Sequence, residues 1–372
     1  MRLCIFSKDY LCSMASFSLA QILSSHQPLL IAGPCGVESK AQLRQTAEGI
    51  ATIPGIHALR GGLWKPRTRP NSFEGMGDAG VVWMTEIREE FQLPIITEVA
   101  RAQHVEICLK NNFDALWIGA RTVANPFSVQ EIADALKGTN IPIFIKNPIH
   151  ADLALWIGAI ERIQNAGIQE IVAIHRGFST GAPTLYRNQP LWEIPIALKT
   201  TIPEIPIICD PSHIAGKREL LKQVAQKAMD LGMNGWMIES HFAPDEALSD
   251  AQQQITPAQL QALIASITLR IESDTETENC VELNQWRKSI DNIDQEIIQL
   301  LGERMKIAEE IGAFKKEKGI TIFSLPRWKE ILESRQHLGE DSGLTLRFLK
   351  TYLEAIHAES IRHQERVMNS KE

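Results

Sequence analysis

From about Gln27 to Ile271, short apolar runs alternate with longer stretches whose apolar residues recur at helical spacing. The short runs are Leu29–Ala32, Ile56–Arg60, Pro94–Thr97, Ala115–Ile118, Pro142–Lys146, Ile171–His175, Pro206–Cys209 and Trp236–Glu239. Between them lie helical patterns over Lys40–Ala51, Val81–Phe91, Ala102–Asn111, Val129–Lys137, Leu153–Asn165, Lys217–Leu231 and Pro257–Leu269. Buried strands alternating with helices predict a parallel α/β sheet. Eight strand–helix units in about 245 residues match the size of a (β/α)8 TIM barrel.

The pattern changes after Leu269. Residues 272–282, opening with Glu272-Ser273-Asp274-Thr275-Glu276-Thr277-Glu278, are acidic, poor in apolar residues and read as a linker. From Leu283 to about Lys318 one helical pattern runs without proline, with Ile290, Ile293, Ile297, Leu300, Leu301, Ile307, Ala308 and Ile311 on its apolar side. A helix of that length spans on the order of 50 Å. It cannot bury such a stripe within a lone domain, so a second copy of the chain is the expected partner. Two further helices, Pro326–His337 and about Leu344–Arg366, make residues 283–372 an all-α, three-helix domain. At the other end, residues 1–26 are expected to be a disordered extension.

With 44% hydrophobic and 22% charged residues, the composition is that of an ordinary soluble protein. The net charge of -7 argues against general nucleic-acid binding. No apolar run is long enough to cross a membrane as a helix. The cysteines, at positions 4, 12, 35, 108, 209 and 280, form neither a disulfide framework nor a zinc-finger spacing, so a reducing cytoplasm is the expected compartment.

Against this acidic background the exits of the predicted strands gather positive charge. Arg60 and Lys65 follow the second strand, Arg121 the fourth, Lys146 the fifth and Arg176 the sixth, and Arg67 lies in the loop after the second. Strand exits form the catalytic rim of a parallel α/β barrel. So many cations in one cleft imply ligands rich in carboxylate and phosphate. The same rim carries His213, Glu239 and Asp250, one imidazole and two carboxylates placed to converge on a cation, with Cys35 of Gly33-Pro34-Cys35 as a fourth ligand. A mixed sulfur, nitrogen and oxygen set suits a borderline divalent ion: manganese first, with iron, cobalt or zinc as alternatives, rather than magnesium or calcium.

Residues 27–271 resemble the type I 3-deoxy-D-arabino-heptulosonate 7-phosphate (DAHP) synthases. The resemblance rests on Gly33-Pro34-Cys35, Lys65-Pro66-Arg67-Thr68, Gly119-Ala120-Arg121, Lys146-Asn147, Arg176-Gly177, Asp210-Pro211-Ser212-His213, Glu239 and Asp250. It implies condensation of phosphoenolpyruvate with erythrose 4-phosphate. C3 of the enol phosphate attacks the aldehyde, water adds at C2 and phosphate departs. It also implies Cys35, His213, Glu239 and Asp250 as metal ligands, with Arg60 and Lys65 clamping the phosphoenolpyruvate carboxylate. Arg121, Lys146 and Arg176 would hold its phosphate, Pro66, Arg67 and Thr68 would contact erythrose 4-phosphate, and Lys65 would supply or relay a proton. A sister barrel that uses arabinose 5-phosphate would carry Ala-Asn-Arg after the lysine, where this chain has Pro66-Arg67-Thr68.

Residues 283–372 resemble the all-helical chorismate mutases through Arg287, Arg304, Lys315, Arg327, Ser360 and Gln364. The resemblance implies rearrangement of chorismate to prephenate. Arg287 and Arg304 would hold carboxylates, with Arg287 reaching into the partner chain's site, and Lys315 and Gln364 would address the ether oxygen. Fixed cations are what a dianion rearranging without acid or base help needs. Ser324 and Trp328 stand where the family has Asp and Glu; Trp328 is a donor only and cannot accept from a substrate hydroxyl. The expected whole is a bifunctional shikimate-pathway enzyme. The alternative is a helical domain that senses chorismate or prephenate, dimerises and regulates the barrel.

Overall fold

In the computed structural model, which describes residues 17–25, 27–65, 73–181, 184–270 and 280–370, the chain forms two compact units divided after Ile271. The first is a closed parallel barrel of eight strands: β1 Leu29–Gly33, β2 Ile56–Arg60, β3 Ile95–Val99, β4 Ala115–Ile118, β5 Ile143–Lys146, β6 Ile171–His175, β7 Ile207–Cys209 and β8 Gly235–Glu239. β1 closes the ring on β8, with Leu29 opposite Gly235 and Gly33 opposite Glu239.

Alternation along the strands explains how the site is assembled. Leu29, Ile31, Ala58, Ile96, Ala115, Trp117, Phe144, Val172, Ile174, Ile208 and Met237 pack together inside the barrel, while the residues between them pack against the helices. Side chains on a strand repeat every two residues. The next inward positions are therefore Gly33, Arg60, Glu98, Gly119, Lys146, Arg176, Asp210 and Glu239. The topmost layer of the interior is charged wherever it carries a side chain, on a floor of packed apolar residues.

The outer layer consists of α2 Lys40–Ala51, α3 Asp78–Phe91, α4 Ala102–Lys110, α5 Ala120–Val123, α6 Pro126–Leu136, α7 Leu153–Asn165, α8 Glu193–Thr201, α9 Pro211–Ala215, α10 Leu221–Asp230 and α11 Pro257–Ala265. α8 escaped the pattern reading because Pro195 interrupts a short apolar stretch. Proline is tolerated there, in the first turn, where its missing N–H has no helical partner to lose. The segment expected to be a disordered extension also contributes in part. Helix α1, Leu19–Ser24, buries Leu19 among the inward-facing residues, and Phe17 approaches Phe144 with ring centroids 6.4 Å apart.

The second unit holds α12 Val281–Lys318, α13 Leu325–Asp341 and α14 Leu346–Asn369. α12 packs on α14 closely enough that a Cβ on Gly312 would meet Gln364 Cα at 3.0 Å. Its buried residues are Met305, Ala308 and Gly312, all in its C-terminal half. In the other half Trp286, Ile290, Ile293, Ile297 and Leu300 are exposed. They are spaced alternately by four and three residues, the repeat of a helix–helix seam.

Two backbone approaches, between β1 and β2 and between β8 and β1, exclude a Cβ. Gly33 and Gly235 have φ of +150° and +151°, and a Cβ on either would lie 2.0 Å from the carbonyl oxygen of Arg60 or Leu29. Gly33→Ala and Gly235→Ala are each expected to lower barrel stability by about 3 kcal/mol or more. Urea midpoints of the two variants check this; midpoints unchanged from the parent contradict the close approaches.

Candidate active site at the mouth of the barrel

Cys35, Glu239 and Asp250 bring one donor atom each to within 4.8 Å of one another. Cys35 follows β1, Glu239 ends β8, and Asp250 sits in the following loop with φ +52°. The thiol lies 3.1 Å from Asp250 Oδ2, and Lys65 Nζ donates to Cys35 Sγ at 2.7 Å and to the Cys35 carbonyl at 2.8 Å. His213, in the short helix α9, borders this group: its Nε2 is 3.8 Å from Glu239 Oε1. Its Nδ1 lies 2.7 Å from Asp210 Oδ2, although the pair lacks hydrogen-bond alignment.

Burial and charge set the protonation of the cluster. Burial, reinforced by Glu239, pushes the Cys35 thiol up to about 12, with Lys65 acting in the opposite sense. Burial works against ionisation of Glu239, but His213 and Arg60 prevail and hold it below the usual carboxylate range. Asp250 is held well below that range because Arg187 and His213 outweigh its burial. Burial, with Lys146, lowers His213, so its imidazole is neutral at pH 7 and keeps a lone pair to offer. Two carboxylates, a neutral imidazole and a thiol that would give up its proton on ligation form a donor set that could hold a divalent cation.

Beside this cluster lies the cationic part of the cleft. Arg60 is 2% exposed, with one NH2 bond of 3.1 Å to Glu239 Oε1 and its guanidinium carbon 4.9 Å from the centre of the Trp117 ring. Its Nε and second terminal nitrogen are buried without a partner. Buried donors are normally satisfied, so these two point to an anion. Lys146 bonds Asp210 Oδ2 at 2.8 Å and also lies near Trp117. Arg176 donates to Asn188 Oδ1 at 2.9 Å, and burial lowers it to about 10. Arg121 is exposed at the start of α5. Pro66, Arg67 and Thr68 lie outside the described residues.

Four participants were assigned no role from the sequence. Asp210, within a motif but given no role from sequence, bonds Lys146 and approaches His213. Trp117 read as one more strand hydrophobe. Arg187, in a loop, and Gln253, at the end of a short 3-10 helix, are far apart in sequence and meet at 2.6 Å.

In the helical unit Arg304 donates to the Ser360 hydroxyl, and Lys315 donates to the carbonyl of Ile322. Gln364 is buried one turn beyond Ser360, and its Oε1 has no partner. The ring of Trp328 stacks on His357 at 4.2 Å, and burial, Arg304 and Lys315 together lower the His357 imidazole. Arg327 is exposed and pairs with Glu330 at 2.7 Å. Arg287 is exposed toward the start of α12. Arg304, Lys315, Ser360, Gln364, Trp328 and His357 thus lie in one neighbourhood, whereas the side chains of Arg287 and Arg327 are exposed.

Residues 20–274 match the family model described as DAHP synthetase I family. The chain belongs to that family. Residues 286–365 match the model for type II chorismate mutase. A phospho-2-dehydro-3-deoxyheptonate aldolase from Thermotoga maritima is 31% identical over 226 residues, which cover 61% of this chain and 64% of that protein. A 2-dehydro-3-deoxyphosphooctonate aldolase from Rhodopseudomonas palustris is 29% identical over 257 residues, or 64% of this chain and 86% of that one. The crystal structure of the DAHP synthase from Thermotoga maritima superimposes with a TM-score of 0.57 at 29% identity, covering 64% of this chain and 68% of that one. The chain therefore spans just under two thirds of the curated Thermotoga relative.

The buried Arg60–Glu239 pair offers a test. Arg60→Met strands a buried carboxylate and is expected to cost about 3 kcal/mol. Arg60→Met/Glu239→Met removes both charges and is expected to recover most of that loss. Denaturant unfolding of the two variants checks the expectation, and equal losses in both contradict it.

Proposed function

We propose that the chain is a bifunctional enzyme of the shikimate pathway. The barrel would join phosphoenolpyruvate to erythrose 4-phosphate, releasing DAHP and phosphate, and the helical domain would convert chorismate to prephenate. The observation that carries the first activity is Arg60, a fully desolvated guanidinium with two unsatisfied donors, next to a thiol, imidazole and carboxylate cluster. It suits a substrate that brings a carboxylate and a phosphate. The two curated relatives are named for a heptonate and an octonate respectively. Erythrose 4-phosphate is favoured over arabinose 5-phosphate by the sequence Lys65-Pro66-Arg67-Thr68, and by a mutase domain that consumes a product of the same pathway.

In this reading Arg60 and Lys65 hold the substrate carboxylate, and Lys146, Arg176 and Arg121 hold its phosphate, which fixes C3 toward the aldehyde. Pro66, Arg67 and Thr68 contact the aldose phosphate. Cys35, His213, Glu239 and Asp250 hold a divalent ion, manganese first, with iron, cobalt or zinc as alternatives. The chemistry such an ion supplies is polarisation of the aldehyde carbonyl. Lys65, which already donates to Cys35 Sγ, delivers a proton at the oxygen that becomes the new hydroxyl. The Trp117 floor and the desolvated cations keep bulk water from the enol phosphate.

In the mutase reaction Arg304 holds one carboxylate with Ser360 beside it, while Lys315 and Gln364 address the ether oxygen. The exposed apolar seam of α12 supports a homodimer in which each Arg287 completes the partner's site. Trp328, stacked on His357 where a hydrogen-bond acceptor is expected, favours a second reading. There the helical domain binds chorismate or prephenate mainly to regulate the barrel. A reducing cytoplasm is the proposed setting, supported by free Cys35, Cys108, Cys209 and Cys280.

Purified protein is expected to release phosphate from phosphoenolpyruvate with erythrose 4-phosphate, and to stop when a chelator removes divalent ions. Release with arabinose 5-phosphate alone would favour the sister reaction. Because the Cys35 thiol is pushed up to about 12, it is protonated at pH 6–8, and binding an ion must expel that proton. The metal dissociation constant is therefore expected to fall roughly tenfold per pH unit of increase; a pH-independent constant contradicts ligation by Cys35. For the helical domain, Ile293→Glu/Ile297→Glu is expected to yield monomers in sedimentation and to abolish chorismate turnover. Turnover no faster than buffer in the parent, with prephenate inhibiting the barrel, would support the regulatory reading instead.

A further inference from the structure

The two carboxylates of the metal-type cluster divide their oxygens in the same way. Asp250 turns Oδ2 toward Cys35 Sγ at 3.1 Å, and its Oδ1 accepts from Arg187 NH1 at 3.0 Å. Glu239 turns Oε1 toward Arg60 and His213, and its Oε2 accepts from Gln253 Nε2 at 2.6 Å. The same Arg187 nitrogen donates to Gln253 Oε1 at 2.6 Å. The chain Asp250–Arg187–Gln253–Glu239 is therefore continuous. A primary amide fits its middle because it accepts on one side and donates on the other without carrying charge.

Burial holds Gln253, and packing holds the stem of Arg187. Gln253 is 1% exposed. The Arg187 backbone N–H donates to the Ala215 carbonyl at 3.3 Å, and its stem lies where a Cβ on Gly216 would be, 2.4 Å from Arg187 Cβ. Gly216, with φ +68°, is thus what lets the arginine stem lie against α9, the helix that carries His213.

We propose that Arg187 and Gln253 are positioning residues that occupy the outer oxygen of each carboxylate, so that Asp250 and Glu239 each present a single oxygen to a bound divalent ion. The inference rests on the metal-binding reading above. One oxygen from each carboxylate, with one sulfur and one nitrogen, keeps the number of protein donors at four and leaves room in the coordination sphere for a substrate oxygen. It also disfavours calcium, which takes six to eight oxygens and readily accepts both oxygens of a carboxylate.

The test is equilibrium titration of the metal-free full-length protein with Co(II), following the thiolate-to-cobalt absorption band that reports Cys35. Gln253→Leu and Arg187→Met are each expected to weaken Co(II) binding about 10- to 100-fold with the thiolate band retained, the range usual for groups that orient ligands. Because both act through one chain, the double variant is expected to bind no more weakly than the worse single variant. Should Gln253→Leu fail to fold, Arg187→Met, altered at a side chain 45% exposed, carries the test. Binding within twofold of the parent in the variants that fold overturns the proposal, as do losses that multiply in the double variant. A parent protein that binds Co(II) without a thiolate band overturns the metal reading itself, and the relay with it.

Discussion

Charge that is desolvated at the mouth of the barrel has to be compensated within the same layer, and the architecture of the site follows from that constraint. Arg60 and Lys146, both nearly fully buried, each answer a carboxylate that is itself 0% exposed, Glu239 and Asp210 respectively. Breaking either pair would leave a lone charge in a medium that solvates it poorly. The pairs are nonetheless incomplete as hydrogen-bonding sets, because Arg60 keeps two donors unmet. An interior that balances its charges but not its donors is prepared for an anionic ligand rather than optimised for stability.

The apolar floor makes this layer possible. Trp117 serves both roles: its indole N–H donates to Glu98 Oε2 at 3.0 Å, and its ring faces Arg60 and Lys146. It separates the charged layer from Phe144, Met237 and the other inward side chains beneath. Cations set over a ring gain quadrupole attraction without needing another carboxylate. The cleft can thus stay positive enough to attract phosphate in a chain that is acidic overall.

The strands and most of the rim were legible because both depend on short-range pattern: an apolar run ends, and two residues beyond the last inward hydrophobe stands a charge. Arg60, Lys146, Arg176 and Glu239 all obey that rule. Gln253 and Arg187 obey none, since their meaning arises only when two distant segments meet, and the run Gln252-Gln253-Gln254 gives no hint that Gln253 and Gln254 are the two buried copies. Helix α8 was hidden by Pro195 for a local reason, and α1 because six residues are too few to show a period. In the helical unit the apolar stripe of α12 was plain in sequence. The stacking of Trp328 on His357 was not, because the two lie on different helices.

The proposed chemistry at the barrel mouth requires a divalent ion held by Cys35, His213, Glu239 and Asp250. Anomalous diffraction from crystals grown with Mn(II), collected on either side of the manganese absorption edge, tests this most directly. One strong peak is expected at the barrel mouth, within about 2.5 Å of all four donor atoms. A peak elsewhere, or a barrel mouth without one while the ion is bound at another place in the chain, would contradict it.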